Sequence, residues 1–258
     1  GLVKCLNSLN VSNALGSDYV HTSNLFYPFM NTATANAIIV QYPSVGDTFD
    51  FGTGSFTVLA PDGISQNSND NSVVIKLENG SNSFIFTGDA EETSEQDMIS
   101  TGMNLDCDVL SVGHHGSASS TTWDFLEATS PSYAVISCGV NNQYNHPSAE
   151  TMGRLSDMEI PVFRTDKQGT IIAVSDGTTI SWSQDPCNDY SSGDAVQSQQ
   201  ETAAASEQVQ AQEQEQVQEP AQEENYGTMV WIPATGEKYH SIPNCGRMNP
   251  DTARQVTQ

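Results

Sequence analysis

Two stretches decide how this chain reads: Ser83-Phe-Ile-Phe-Thr-Gly-Asp89-Ala90 and Asp108-Val-Leu-Ser-Val-Gly-His114-His115-Gly116-Ser117. In each, an apolar run of strand length stops at a glycine. The residues that follow are ones that bind metals or move protons, Asp89 in the first case and His114 and His115 in the second. Strands deliver such side chains to one rim of a sheet, where α/β proteins build their sites. Between them Glu91 to Met103 has the length of a helix and an acidic first turn, which suits the helix dipole. Strand, aspartate, helix, strand and paired histidines form the skeleton of a site.

Upstream, Leu2, Leu6 and Leu9 fall at helical spacing, and Val11 to Leu15 reads as a short strand. Ser23 to Asn36 reads as partly helical, with Leu25, Phe26 and Phe29 expected inside. Short β runs follow at 37–42, 47–51 and 55–60, then a hairpin of 72–78 and 83–87 about Asn79-Gly80. Downstream, 121–128 and 148–158 read as helices and 133–138, 161–165, 170–175 and 178–182 as strands. A meander followed by strands alternating with helices predicts an α/β (α+β) fold with a mixed sheet covered by helices.

Three parts are expected: a folded domain over 1–185, a Ser/Gln/Glu-rich linker over 186–225 with little to bury and read as disordered, and a small module over 226–258. Residues 1–185 carry 5 Lys and Arg against 21 Asp and Glu, and residues 186–258 carry 3 against 11. That surface argues against broad electrostatic capture of nucleic acid, though not against a nucleic-acid enzyme whose metal ions meet the phosphate. The five cysteines are scattered without a Cys-x-x-Cys pair and give no disulfide framework. No apolar run approaches the ~20 residues that a membrane span needs.

Phe86-Thr87-Gly88-Asp89-Ala90-Glu91, Val112-Gly113-His114-His115-Gly116-Ser117, Asn145-His146-Pro147-Ser148, Arg164-Thr165-Asp166 and Ser175-Asp176-Gly177 occur in that order. Over residues 1 to about 183 the chain resembles the metallo-β-lactamase-fold domain of ComEC-type competence proteins and related stand-alone secreted hydrolases. The resemblance implies an αβ/βα sandwich, here partial, holding two divalent metal ions, zinc or manganese. It implies hydrolysis of phosphodiesters, plausibly in DNA, by a metal-generated hydroxide. The family's first metal motif, His-x-His-x-Asp-His, is not in the chain. Gly1-Leu2 looks like the end of the Gly-Gly-Leu that follows it, so the missing ligands are expected upstream and this stretch by itself is expected to be inactive. The same fold kept as a non-catalytic DNA- or partner-binding scaffold is the alternative. Residues 231–240, Trp231-Ile-Pro-x-Thr-Gly-x-Lys-Tyr-His240, resemble an Ada-like zinc motif, with His240 and Cys245 as candidate ligands of a second site.

Within this frame Asp89 is the candidate bridging carboxylate, although an aspartate at a strand-to-helix turn also suits a helix cap. If the strand continues through His114 and His115, they point to opposite sides and only one faces the metals. The other would then act as a neighbour of the ligand shell or on the leaving oxygen. Ser117, Ser119 and Ser120 form a small-residue loop able to offer hydroxyls and N–H groups to a phosphate, or simply to cap the next helix. His146 is placed at the rim by the resemblance, Asp166 is read as a partner of Arg164, and Asp70 as a further ligand position. The acidic, Lys-poor surface and the secreted relatives suggest an extracellular or cell-surface protein.

Overall fold

The computed structural model describes residues 2–193 and the strand segments 229–232 and 254–257. Residues 1–204 and 205–258 form two separate units. The first begins with a small layer of α1 (Leu2–Ser8), β1 (Asn13–Leu15), α2 (Phe26–Ala35) and β2 (Ile39–Gln41), in which β1 and β2 pair in parallel. Its core is Leu6, Ala33 and Ile38, with Phe29 and Val40 packed against them. Leu25, expected inside, is exposed because it caps α2 rather than lying on its inner face. Pro28 sits in the first turn of α2, where its missing N–H costs nothing.

A seven-stranded sheet follows, built in chain order from β3 (Thr48–Phe51), β4 (Gly54–Ala60), β5 (Val74–Asn79), β6 (Asn82–Phe86), β7 (Val109–Ser111), β8 (Tyr133–Ile136) and β9 (Val162–Arg164). Neighbours are antiparallel from β3 to β6 and parallel from β6 to β9. The change is dictated by the connections. A pair of residues suffices to reverse β5 into β6, whereas parallel neighbours need crossovers, here through α3 (Glu92–Ser100), α4 (Trp123–Thr129) and α5 (Ala149–Asp157). The β5–β6 turn is centred on Gly80-Ser81, one residue later than expected, because Asn79 and Asn82 still pair. After a short α6 (Thr165–Gln168), the hairpin of β10 (Ala173–Ser175) and β11 (Ile180–Trp182) stands apart as a second two-stranded sheet.

Strand alternation sorts the sheet into two faces. Ile85, Leu110, Ala134, Ile136 and Val162 turn toward the helices and meet Met98, Phe125, Leu126, Met152 and Leu155 in the main core. The three helices expose their other sides, as the spacing of those apolar residues requires. The opposite face presents Leu77, Phe84, Phe86, Val109 and Val135 to an open apolar groove of about 570 Å³, bounded by Trp182 of β11. Trp182 stacks on Phe163 with ring centres 4.1 Å apart. No described helix is long and apolar enough to cross a membrane.

The folded unit runs past residue 185. Cys187 and Tyr190 pack against the main core, and the Tyr190 hydroxyl donates to Ile160 O. Beneath this strap lies Arg164, fully buried and held by Asp166 through two bonds, Nε to Oδ1 at 3.0 Å and Nη2 to Oδ2 at 2.8 Å. Its Nη1 donates to the Asp189 carbonyl at 2.9 Å and also to the Ser191 carbonyl. The expected Arg164–Asp166 pair is thus present, and it anchors the strap. In the second unit β12 (Met229–Ile232) and β13 (Arg254–Thr257) pair antiparallel. The remaining linker residues and the candidate ligands His240 and Cys245 lie outside the described residues.

Removing the fully buried Arg164 empties its site, leaves the part-buried Asp166 without its counter-charge and unties the strap, so Arg164→Ala is expected to lower unfolding free energy by ~3 kcal/mol in urea titration. Burial raises the Asp189 carboxyl, but hydrogen bonds from Ser191 and the Lys167 ammonium outweigh it and hold the group at about 2 against an ordinary 3.8. A depressed carboxyl stabilises the fold above its unfolded value and loses that contribution as pH falls through the folded one. Wild-type stability should therefore fall between pH 3.8 and about 2 by an increment that Asp189→Asn lacks.

Candidate functional site

The rim is set by the parallel register of β6 and β7, in which Phe86 lies opposite Ser111. Both strands end there, and the chain turns twice side by side. Thr87 Oγ1 donates to Ser111 O at 2.7 Å, and the His114 N–H donates to Gly88 O at 3.0 Å, joining the two turns. The Asp89 N–H donates to Ser72 Oγ at 3.1 Å. Asp89 does not cap α3, since the cap position is Glu91. Its carboxylate is half-exposed at the rim.

The strand does not continue through the histidines. It ends at Ser111, and Gly113–Gly116 form a tight turn in which His114 and His115 take φ of 46° and 57°. The expectation of opposite-facing rings, which assumed strand geometry, is therefore corrected: both imidazoles meet acidic side chains of the neighbouring turn. His115 Nε2 is 3.6 Å from Asp89 Oδ1, and His114 Nδ1 is 2.9 Å from Glu91 Oε1. The His115 Nδ1 lies 2.6 Å from Ser137 O. A carbonyl only accepts, so Nδ1 carries the proton, and Nε2, on the side of Asp89, is the nitrogen that has the lone pair when the ring is neutral. The Glu91 contact does not have the geometry of a ring hydrogen bond and becomes an ion pair when the ring is protonated. Gly116 has φ of 84°, and a Cβ there would come within 2.6 Å of Pro147 Cβ.

Glu91 is the residue that sequence reading missed. Its carboxylate accepts from Asn67 Nδ2 at 2.7 Å, Asn69 Nδ2 at 3.0 Å and Ser119 Oγ at 3.0 Å, besides facing His114. Burial pushes this carboxyl up, but the bonds from Asn69, Asn67 and Ser119 and the His114 charge leave it below its ordinary value. The available signal was its place two residues after Asp89, in the same rim turn. Asp70 is buried, accepting from Asn67 Nδ2 and from the Glu91 N–H. It fixes the loop that holds Glu91.

The serines divide. Ser120 is fully buried, with its hydroxyl donating to Gly113 O at 2.7 Å, so it holds the histidine turn and is closed to a substrate. Ser117 is largely buried against Ser119, and Ser119 is exposed beside Glu91. Below this loop the buried Glu95 accepts from the N–H groups of Thr121 and Thr122 and from the Thr122 hydroxyl, pinning α3 to the start of α4. Thr122 caps α4, which begins two residues later than expected, and Ser148 caps α5 with Pro147 just before it. His146 packs its ring against His114, centres 5.6 Å apart, and Tyr144 stacks over it at 5.8 Å.

Two ligands of one tetrahedral zinc, each ~2.0–2.1 Å from the ion, lie about 3.4 Å apart. The 3.6 Å between Asp89 Oδ1 and His115 Nε2 matches that spacing, and the carbonyl behind His115 is the usual partner of a metal-ligating imidazole. These two residues fit as one edge of a metal site. Among the described residues no group of three or more His, Cys, Asp or Glu is placed to share an ion.

No family profile matches the chain. It is 37% identical over 143 residues to the ComE operon protein 3 of Bacillus subtilis, which is 55% of this chain and 18% of that protein. It is 38% identical over 104 residues to the competence protein ComA of Neisseria gonorrhoeae, 40% of this chain and 15% of that one. With recombination protein 2 of Haemophilus influenzae the identity is 37% over 117 residues, 45% of this chain and 15% of the relative. The chain is thus distantly homologous to part of each, and it spans less than a fifth of their lengths.

Gly116→Ala is expected to cost more than ~1 kcal/mol by urea denaturation, because the residue needs a left-handed backbone and has no room for a methyl group. Gly153→Ala in the middle of α5, where a Cβ meets nothing within 4 Å, should instead stabilise, by roughly 0.5–1 kcal/mol.

Proposed function

We propose that the chain supplies one side of a divalent-metal centre in a hydrolase of phosphodiesters, DNA being the substrate class that the competence named for the gonococcal relative suggests. The observation that carries this reading is the Asp89–His115 pair, a carboxylate oxygen and an imidazole lone pair at ligand spacing with the imidazole oriented from behind. The remaining donors, and those of a second zinc or manganese ion, come from outside the described residues. When bound, such ions supply Lewis-acid charge and lower the pKa of water.

The chain's own residues then have separate roles. Asp89 and His115 hold the ion. His114, set against Glu91, is placed to hold or pass a proton at the leaving oxygen. Glu91 positions His114 and orders the Asn67, Asn69 and Ser119 side chains around it. Ser119 is the hydroxyl able to meet a substrate oxygen. Because the chain carries 8 Lys and Arg against 32 Asp and Glu, the phosphate is met at the metal centre rather than on a basic surface.

A second reading, a scaffold of the same fold that binds DNA or a partner without cleaving it, draws on the lack of a third converging donor among the described residues. Metal binding and cleavage separate the two. In the intact protein Asp89→Ala and His115→Ala should each abolish manganese- or zinc-dependent cleavage of a DNA oligonucleotide and weaken metal binding more than tenfold, and Lys4→Ala should change neither. Cleavage retained in the Asp89 variant would contradict the ligand assignment, and a folded protein that neither binds metal nor cleaves would favour the scaffold.

A further inference from the structure

A second cleft, of about 360 Å³, opens beside the rim between the N-terminal layer and the loop preceding β5, and Asp89 lines both it and the metal-ligand pair. Its other walls carry Tyr19, His21, Phe26 and Tyr42, with no lysine or arginine among the lining residues. Tyr19 and His21 meet edge to face, ring centres 5.6 Å apart. None of these four rings belongs to the core of the layer, which is closed by Leu6, Ala33 and Ile38 with Phe29 and Val40. Tyr42 is 48% exposed. Among the described residues neither tyrosine hydroxyl has a hydrogen-bond partner.

The chemistry of this wall selects its occupant. An anion would find no lysine or arginine there and would face the Asp89 carboxylate. A saturated chain would make no use of the π faces of this wall. A flat neutral ring meets both demands, stacking on the face of an aromatic side chain while its hydrogen-bonding edge turns to the neighbouring serine and asparagine side chains of the wall. Resting on the phosphodiesterase reading above, we propose that the cleft holds one unpaired nucleobase of the strand whose phosphodiester lies at Asp89. A base paired and stacked inside a duplex is not available to such a wall, so the site takes single-stranded nucleic acid. The affinity comes from stacking and not from phosphate contacts, and it is therefore only weakly sensitive to salt.

The test is fluorescence anisotropy of the 258-residue chain with a labelled thymidine tetranucleotide, the same tetramer with abasic sugars, and a duplex, each with and without zinc. The base-bearing tetramer should bind at least about tenfold more tightly than the abasic one. Tyr19→Ala and Tyr42→Ala should remove that difference, Tyr19→Phe and Tyr42→Phe should keep most of it, and the duplex should not compete. Equal binding of the two tetramers, or alanine variants that keep the difference while remaining folded by circular dichroism, would overturn the proposal. Because the comparison is a ratio between tetramers read in the chain, it is separate from the metal centre, which is read by metal binding and cleavage in the intact protein: a ratio that persists although the intact protein neither binds metal nor cleaves would count against the metal centre alone, and cleavage with no ratio would count against the base cleft alone.

Discussion

The parallel pairing of Phe84–Phe86 with Val109–Ser111 is the constraint on which the rest of the structure depends. It ends two strands at the same level, so that Asp89 and the paired histidines leave the sheet side by side. The bond from the His114 N–H to Gly88 O then locks the two turns together. Consecutive non-glycine residues in the left-handed region are costly, about 1–2 kcal/mol each, and they persist only where surroundings over-determine them. Here the surroundings are visible: Ser120 and Thr121 hydrogen-bond to Gly113, Ser117 N–H donates to His114 O, and Pro147 closes against Gly116. The strain turns both imidazoles toward carboxylates.

The supporting groups lie in two further layers. Glu95, buried between α3 and α4, has a carboxyl that burial pushes up while the Thr122 and Thr121 bonds and the Arg154 charge pull it back. It fixes the start of α4 and with it the serine loop. Farther out, Arg164 ties β9 to the strap of residues 186–193, and the Gly193 N–H reaches Pro147 O beside the histidine turn. The Cys107 and Cys138 thiols are raised to about 12 by burial, with nearby carboxylates adding to the shift. They are neutral packing groups at ordinary pH.

Much of this was legible in the sequence because local rules and tertiary packing agree. The apolar runs ending in Gly88 and Gly113 gave both strands, the order of elements gave a mixed sheet, and Arg164-Thr165-Asp166 gave its ion pair. What escaped was set by geometry that sequence patterns do not carry. Strand alternation assigned His114 and His115 to opposite sides, but a left-handed turn has no such alternation. Glu91 looked like a residue of a helix's first turn, yet it sits at the cap with extended backbone and turns its carboxylate to the rim. Ser120 resembled its neighbours in composition and differs only in burial. The strap looked like linker because its polar residues bond to backbone and to Arg164, contacts that leave no hydrophobic period.

The central claim is that Asp89 and His115, not His114, hold a divalent ion. Anomalous diffraction at the zinc edge from crystals of the intact protein equilibrated with zinc tests it most directly. The account predicts a peak within bonding distance of His115 Nε2 and Asp89 Oδ1, with His114 still against Glu91. A peak on His114, or zinc bound with neither Asp89 nor His115 among its ligands, would contradict it.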